Sequence, residues 1–313
     1  MPSWTVSFPV RLDIFLASEE RMLSRSKAQR AIEEGRVSVN DAVVSKVALR
    51  LQEGDTVALR DEEAAAAETA VEPADLHLTV LYEDGACLVL DKPAGIAVHT
   101  GAGMAPGEKT ILHGAAFLFR ERSIPFSSES VLVHRLDKDT TGCLLLAKDP
   151  ASHMALQKQF ETRTVEKQYL ALIAGVPEHP AAMIDAPIGR STSDRTTMAV
   201  RGAGGSREAQ TSYRVLAAKD RAALVLCNLH TGRTHQVRVH LHSIGHPVLG
   251  DGTYGNELAE RLGQEFGIRS LCLHAWKLRF RSPADGKDHA IIAPLPSSFS
   301  EVLERAQITF VDR

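Results

Sequence analysis

"HRLDKDTTG", residues 134–142, stands between two apolar runs, "SVLV" at 130–133 and "CLLLAK" at 143–148. Continuous apolar runs mark strands covered on both faces, so the charged residues between them read as a loop leaving a buried sheet. A loop held by such a scaffold is a good place for functional side chains. Asp137 then lies near apolar walls, where a carboxylate takes up a proton unless a cation or hydrogen bonds favour its charged form. A nucleophilic or basic aspartate here needs a partner such as an arginine. The alternative is that Asp137 or Asp139 only shapes a turn with Thr140, Thr141 and Gly142.

A second stretch supplies candidates for that partner: "TGRTHQVRVHLHSIGHPVLGD", residues 231–251. "HQVRVHLH" alternates like a strand, yet Val237, His240, Leu241 and Ile244 fit the i, i+3, i+4, i+7 template of a helix. Thr234 is the expected cap, and Gly245 with Pro247 the expected stop. Arg233 is placed beside the helix start, in a tight turn after the strand "ALVLCNL". No acidic residue occurs from Arg221 to Gly250, so this is a local basic surface in a mildly acidic chain. The histidines of this stretch raise a metal reading, but the paired-histidine signature with an intervening glutamate is missing and carboxylate or thiolate ligands are scarce. No metal is therefore expected.

The 313 residues are 44% hydrophobic and 24% charged, a balance that fits a water-soluble chain with one or two packed cores. The start carries no basic flank followed by an apolar stretch, and no apolar run approaches the roughly 20 residues that span a bilayer, so a cytoplasmic location is expected. Cys87, Cys143, Cys227 and Cys272 each lie inside an apolar segment without CxxC spacing and read as reduced core thiols. A net charge of -3 gives no whole-protein argument for a polyanionic partner; any nucleic acid must be held by local patches.

Residues 11–60 read as a compact unit. In "RMLSRSKAQRAIEEGRVSVN" Ser24 or Ser26 can cap a helix and Gly35 can end it; short strands follow, with turns at Asn40–Asp41 and around Gly54. Arg21, Arg25, Lys27, Arg30 and Arg36 crowd the helix and its exit. They are either a solvated face or a phosphate-binding one, Arg25 and Lys27 falling in the first turn where the helix dipole favours anions. Residues 61–75, "DEEAAAAETAVEPAD", have no amphipathic stripe and read as an acidic tether. From residue 76 strand-like and helix-like segments alternate. "ACLVLDKPAG" is a strand ending at Pro93, and "DPASHMALQKQF" is a helix capped by Asp149 with Pro150 at its first position. "TVEKQYLALIAG" is a strand with Val165, Lys167, Tyr169, Ala171 and Ile173 on one face.

Two resemblances organise these readings. The leading "RLD", the basic helix and the "GRVSVN" turn resemble the small RNA-binding module named after ribosomal protein S4. "KPAGIAVH", "HRLDKDTTG" with "LLLAK", "VEKQYLALIAG", "DAPIGR", "TGRTHQVRVHL", "GHPVLGDGTYG" and "LHAWKLRF" occur in the order found in RluA-type pseudouridine synthases, a likeness running from about residue 76 to 285. "VHTGAG" and "RTTMAV" most resemble the large-subunit ribosomal D-type branch. Cys143, where the family usually has a larger aliphatic residue, is a small departure that touches no proposed catalytic atom.

The resemblance implies an α+β fold with a mixed, largely antiparallel central sheet flanked by helices, in a catalytic domain over 76–305. It implies that Asp137 is the essential aspartate, that Tyr169 is the active-site tyrosine, stacking on uracil and helping to remove its carbon-5 proton, and that Arg233 pairs with Asp137. Arg135 fills the space left by an extruded base, at a step that costs a few kcal/mol of stacking and pairing; without the family context it is a salt-bridge partner of Asp139. Arg25, Lys27, Arg30 and Arg36 are the expected RNA contacts of the small domain. The expected partner is RNA, most of all large-subunit ribosomal RNA or a pre-ribosomal particle, with no cofactor, no metal and no membrane, acting as a monomer. The competing readings are a non-catalytic RNA-binding assembly factor, the same chemistry on transfer RNA, and a metal-dependent RNA hydrolase.

Overall fold

The computed structural model describes residues 2–17, 25–60, 71–100, 104–105, 107–192, 194, 196–200 and 205–310. The chain forms two units, Met1–Val71 and Glu72–Arg313.

In the small unit, β1 (Ser3–Thr5), β2 (Val10–Arg11), α1 (Leu12–Leu16), α2 (Arg25–Glu33), β3 (Val37–Val39), β4 (Ala42–Val43), β5 (Arg50–Leu51) and β6 (Thr56–Leu59) follow one another. The helices present Leu12, Leu16, Ala28 and Ile32 to Val37, Leu51 and Val57 in one apolar cluster. Asn40 and Asp41 both take positive φ, 51° and 65°, the conformation that a two-residue hairpin turn between β3 and β4 requires. Two readings change here. Because β1 pairs with β6, the unit begins before residue 11. The segments around Gly54 do not pair with each other; β5 joins β2, while β6 lies between β1 and β3. Ser26 lies inside α2, while Arg21 and Ser24 fall outside the described residues.

The large unit contains β7 (Thr79–Glu83), β8 (Cys87–Lys92), α3 (Ile111–Glu121), β9 (Thr141–Ala147), α4 (Pro150–Glu161), β10 (Glu166–Ala174), β11 (Ala181–Asp185), β12 (Ile188–Arg190) and β13 (Met198–Val200). It continues with β14 (Gln210–Lys219), β15 (Ala222–Leu229), α5 (Gln236–Ser243), α6 (Glu257–Glu265), β16 (Leu273–Arg281), β17 (Asp288–Ile292) and α7 (Ser297–Arg305). Its main sheet runs β11-β14-β15-β10-β16-β9-β8-β7, with β17 added beside β16. Every pairing is antiparallel except β16 with β9, which is parallel and short: His274 opposite Thr141 and Ala275 opposite Gly142. The fold is the α+β type, with the mixed, largely antiparallel sheet that the resemblance implied.

Gly142 makes that seam possible. Its φ is +103°, and a Cβ there would stand 2.3 Å from the Ala275 carbonyl oxygen, far inside van der Waals contact. Beyond it, Cys143, Leu145 and Ala147 pack with Cys87, Val89, Leu156 and Phe280. Asp149 caps α4, accepting from the Ser152 amide at 2.9 Å, with Pro150 at the first helical position. All four cysteines are buried free thiols, and burial pushes those of Cys143, Cys227 and Cys272 up to about 12.

"SVLV" is not a strand. Residues 131–134 instead run beside β9 through one bridge, Leu132 to Leu146, and the Ala147 amide donates to the Val131 carbonyl at 2.9 Å. Val131 and Val133 are buried by this return of the chain. Its apolar character reflects coverage rather than a sheet position. The acidic tether is also shorter than expected: the Lys109 ammonium meets Glu72 at 2.6 Å and the Ala74 amide donates to the His113 carbonyl, while residues 61–70 lie outside the described residues. Past residue 305, Ala306 and Ile308 are buried and Phe310 meets Trp276 edge to face. Among the described residues no helix is long and apolar enough to cross a membrane.

Candidate active site

Asp137 is delivered by a loop fastened at several points. The Thr140 amide donates back to the Asp137 carbonyl at 3.2 Å, closing a turn. Lys92, fully buried at the end of β8, donates its ammonium to the carbonyls of Pro93, Lys138 and Thr140 at 2.7, 2.7 and 3.0 Å. Burial pulls this amine down to about 8, against the charges of Asp139 and Asp137, so at neutral pH it remains a cation. On the incoming side, the Leu145 amide donates to His134 Nε2 at 2.9 Å, the imidazole standing where a strand would offer a carbonyl. Its ring stacks on Phe160, and burial holds it down to about 3, fixing it neutral with the proton on Nδ1. His274 does the same at the start of β9, bonded to the Thr141 hydroxyl at 2.8 Å and the Ala293 carbonyl at 3.2 Å, with burial holding it to about 4.

The guanidinium that meets Asp137 belongs to Arg238, not to Arg233. Arg238 Nη1 lies 3.4 Å from Asp137 Oδ2. Its Nε and Nη2 are taken bidentately by Asp251 at 2.7 and 2.8 Å, which turns the remaining nitrogen toward Asp137. The Tyr254 ring lies under the same guanidinium, 5.0 Å from its carbon. Burial works to raise the Asp251 carboxyl, but Arg238 and the amides of Thr253 and Tyr254 hold it below its ordinary range. His235 Nε2 stands 4.0 Å from Asp137 Oδ1. Its Nδ1 meets the Tyr254 hydroxyl at 2.8 Å, and that hydroxyl accepts from the Met198 amide and so can donate to Nδ1. The neutral imidazole then carries its proton on Nε2, facing Asp137. Burial lowers the basicity of His235 despite the neighbouring carboxylate.

The helix predicted over "HQVRVHLH" is α5, but its cap is His235, with φ of 57°, rather than Thr234. The turn ahead of it is closed by Gln236, whose Oε1 accepts from the Arg233 amide and the Thr231 hydroxyl and whose Nε2 donates to Gln210 and Thr211. Arg238 lies in the first turn of α5, on the face toward Asp137. Arg233 points elsewhere in the same groove, its Nε donating to the Glu208 carbonyl at 2.9 Å.

Tyr169, central in β10, is 8% exposed and lines the groove with Asp137. Burial first, and the Asp137 charge second, push its hydroxyl well above the ordinary phenol range, so the side chain is a neutral phenol at neutral pH. Arg135 is exposed, with Nη1 3.4 Å from His99 Nε2; no ion pair joins it to Asp139 among the described residues. The groove encloses about 560 Å³, within the range of small-ligand sites. Its lining includes Arg135, Asp137, Tyr169, Arg233, His235 and Arg238. Among the described residues no group of three or more His, Cys, Asp and Glu gathers as a metal centre needs.

The basic residues of the small unit are partly engaged. Arg25 reaches the buried Asp13 at 3.2 Å, alongside Arg11, while Arg30 and Arg36 grip Glu34 at 2.7 and 2.9 Å. Lys27 is exposed on α2.

A family model described as RNA pseudouridylate synthase matches residues 86–243, and the S4 domain model matches residues 10–57. An uncharacterized RNA pseudouridine synthase of Bacillus subtilis is 38% identical over 94% of this chain and 93% of its own. Ribosomal large subunit pseudouridine synthase D of Nitrosomonas europaea is also 38% identical, over 94% of this chain and 84% of its own. Among solved structures, human RNA pseudouridylate synthase domain containing 4 is similar with a TM-score of 0.61 and 28% identity, covering 74% of this chain and 94% of that one.

Proposed function

Because the chain belongs to the RNA pseudouridine synthase family and is an isomerase of that class, we propose that it converts specific uridines of large-subunit ribosomal RNA into pseudouridine, acting on a base swung out of its stack. The observation that carries the reading is the Asp137–Arg238–Asp251 array beside Tyr169, in a groove able to take a nucleotide. In the reaction the bond from the sugar's C1′ to uracil N1 breaks, the base turns, and C1′ joins C5; the C5 proton leaves and N1 acquires one. Asp137 is the group that acts on the sugar, either attacking it or removing a proton from it. Arg238 sets its guanidinium beside that carboxylate, and Tyr169 offers its ring to the base. A stacking contact of this kind is worth about 1–3 kcal/mol. Arg135, exposed at the rim, is placed to fill the space the base leaves.

The ribosomal target is supported by the names of relatives and by the S4 domain. Mapping pseudouridines in ribosomal RNA from a strain lacking the gene tests it: particular large-subunit positions should revert to uridine and return with the wild-type gene but not with Asp137→Asn. An unchanged ribosomal map with loss in transfer RNA moves the same chemistry to the other substrate. Purified Asp137→Asn should bind the RNA and form no pseudouridine; retained turnover removes Asp137 from the mechanism.

A further inference from the structure

Beyond the Asp137–Arg238 pair, the groove is lined by Arg163, Lys167, Arg207 and Arg233. They lie close enough to disturb one another: the charge of Arg163 acts on both Lys167 and Arg233, and that of Arg207 on Arg233. The acids nearby are few. Glu161 lines the groove, and Glu208, whose side chain is 84% exposed, approaches Arg163 only to 3.9 Å. Among the described residues the Lys167 ammonium makes no hydrogen bond or ion pair; it stands over the Phe160 ring, 5.7 Å from its centre. Arg207 likewise has no side-chain partner, and the terminal nitrogens of Arg233 are unused once its Nε has met Glu208.

Like charges gathered along a partly exposed wall with few counterions raise the free energy of the empty protein, and an anion settling among them relieves it. Lys167 and Tyr169 alternate on one face of β10, about 7 Å apart along the strand. A nucleotide whose base lies against Tyr169 therefore has its backbone within reach of the Lys167 ammonium. We propose that Lys167, Arg163, Arg207 and Arg233 form a phosphodiester subsite that holds an RNA backbone linkage adjoining the uridine at Asp137, an inference that rests on the RNA-modifying reading above. The subsite gives Arg233 a role distinct from the ion pair that its sequence position suggested.

The test uses the full-length protein, a large-subunit ribosomal RNA transcript, and a short synthetic RNA spanning the uridine that the wild type modifies in it. Lys167→Met keeps the apolar stem against Phe160 and removes the charge; Arg207→Gln, at an exposed position, serves should Lys167→Met fold poorly. Each should weaken RNA binding about tenfold and flatten the plot of log affinity against log salt by about 0.7, the expectation for one single-strand phosphate contact. Lys167→Arg should retain both. Replacing one of the two linkages beside the target uridine by a neutral methylphosphonate should weaken the wild type by a similar factor and leave Lys167→Met little more to lose. Unchanged salt slopes in Lys167→Met and Arg207→Gln overturn the subsite, as do methylphosphonate losses that add in full to the Lys167→Met loss at both linkages. Should the wild type form no pseudouridine in the transcript, the functional reading fails, while the salt slopes still decide whether these cations hold phosphate.

Discussion

Asp137 is held by charge rather than by tight hydrogen bonds: its contacts, 3.4 Å to Arg238 and 4.0 Å to His235, are longer than the roughly 2.7–3.2 Å of a firm bond. A carboxylate so placed has a cation beside it yet keeps lone pairs for the sugar. Arg238 can do this only because its planar fork serves two acids at once, and a lysine has no such geometry. Arg238→Lys should therefore cut turnover by about 100-fold or more while binding falls much less. Arg233→Lys should retain most of its turnover; comparing the two kcat values checks which arginine serves Asp137. That Asp137 and Tyr169 line one groove was legible because ordered motifs carry both. The choice between the two arginines was not, since it hangs on the path of the turn ahead of α5, where the cap is a left-handed His235, one residue past the expected Thr234. A usable signal was present: an arginine between Val237 and Val239 on a helix with an apolar face must be paired, and Asp251 in "GHPVLGDGTYG" is a carboxylate close in sequence that can take it while also accepting from the Thr253 and Tyr254 amides. Lys92 was equally hidden, because a lysine at the end of an apolar strand reads as the point where the chain meets water.

At the scale of elements, the active loop depends on how β9 is fastened at its two ends. Gly142 gives the sharper prediction. Gly142→Ala combines a forbidden backbone angle with a collision against the Ala275 carbonyl, so it should cost about 2–4 kcal/mol in denaturant unfolding. Activity should drop with it as the Asp137 loop shifts. His134 and His274 give the second. Both are ordinarily titrated near 6.5 and are held to about 3 and about 4 by burial in the folded state. The unfolded chain thus binds more protons below pH 6.5, and stability that is complete above that value is lost as the pH falls toward 4. Each imidazole accounts for on the order of 2 kcal/mol by about pH 5. Unfolding measured at about pH 7 and about pH 5 should show that loss, reduced in His134→Gln, whose amide oxygen can still accept from Leu145 without titrating. A matching loss in the variant returns His134 to a passive role. The apolar flanks of the loop suggested two strands, and only β9 is one. Hydropathy reports burial, and residues 131–134 are buried by lying over a strand rather than by forming one.

Across the whole molecule, the small and large units divide the labour along the chain. In the small unit, Arg25 already neutralises the buried Asp13, so its charge is partly spent before RNA arrives, while Lys27 stands exposed on α2. Charge reversal at both, Arg25→Glu with Lys27→Glu, should weaken RNA binding and flatten its salt dependence by roughly 1–2. An unaltered slope, measured by filter binding across a salt series, makes this face a solvated one. The order of strands and helices in the large unit followed closely from sequence, but their sheet neighbours did not, because pairing depends on contacts between distant segments that no local pattern encodes. The short parallel seam between β9 and β16 shows this most plainly. It joins residues 141–142 to residues 274–275, more than a hundred positions apart, and such long-range closure is slow. During synthesis β9 and the loop bearing Asp137 can lie against β8 and Lys92 as soon as they emerge, but the seam at Gly142 stays open until β16 follows. The Asp137 loop is therefore braced on one side only until β16 has been made, and the activity expected of it is a late acquisition of the folding chain.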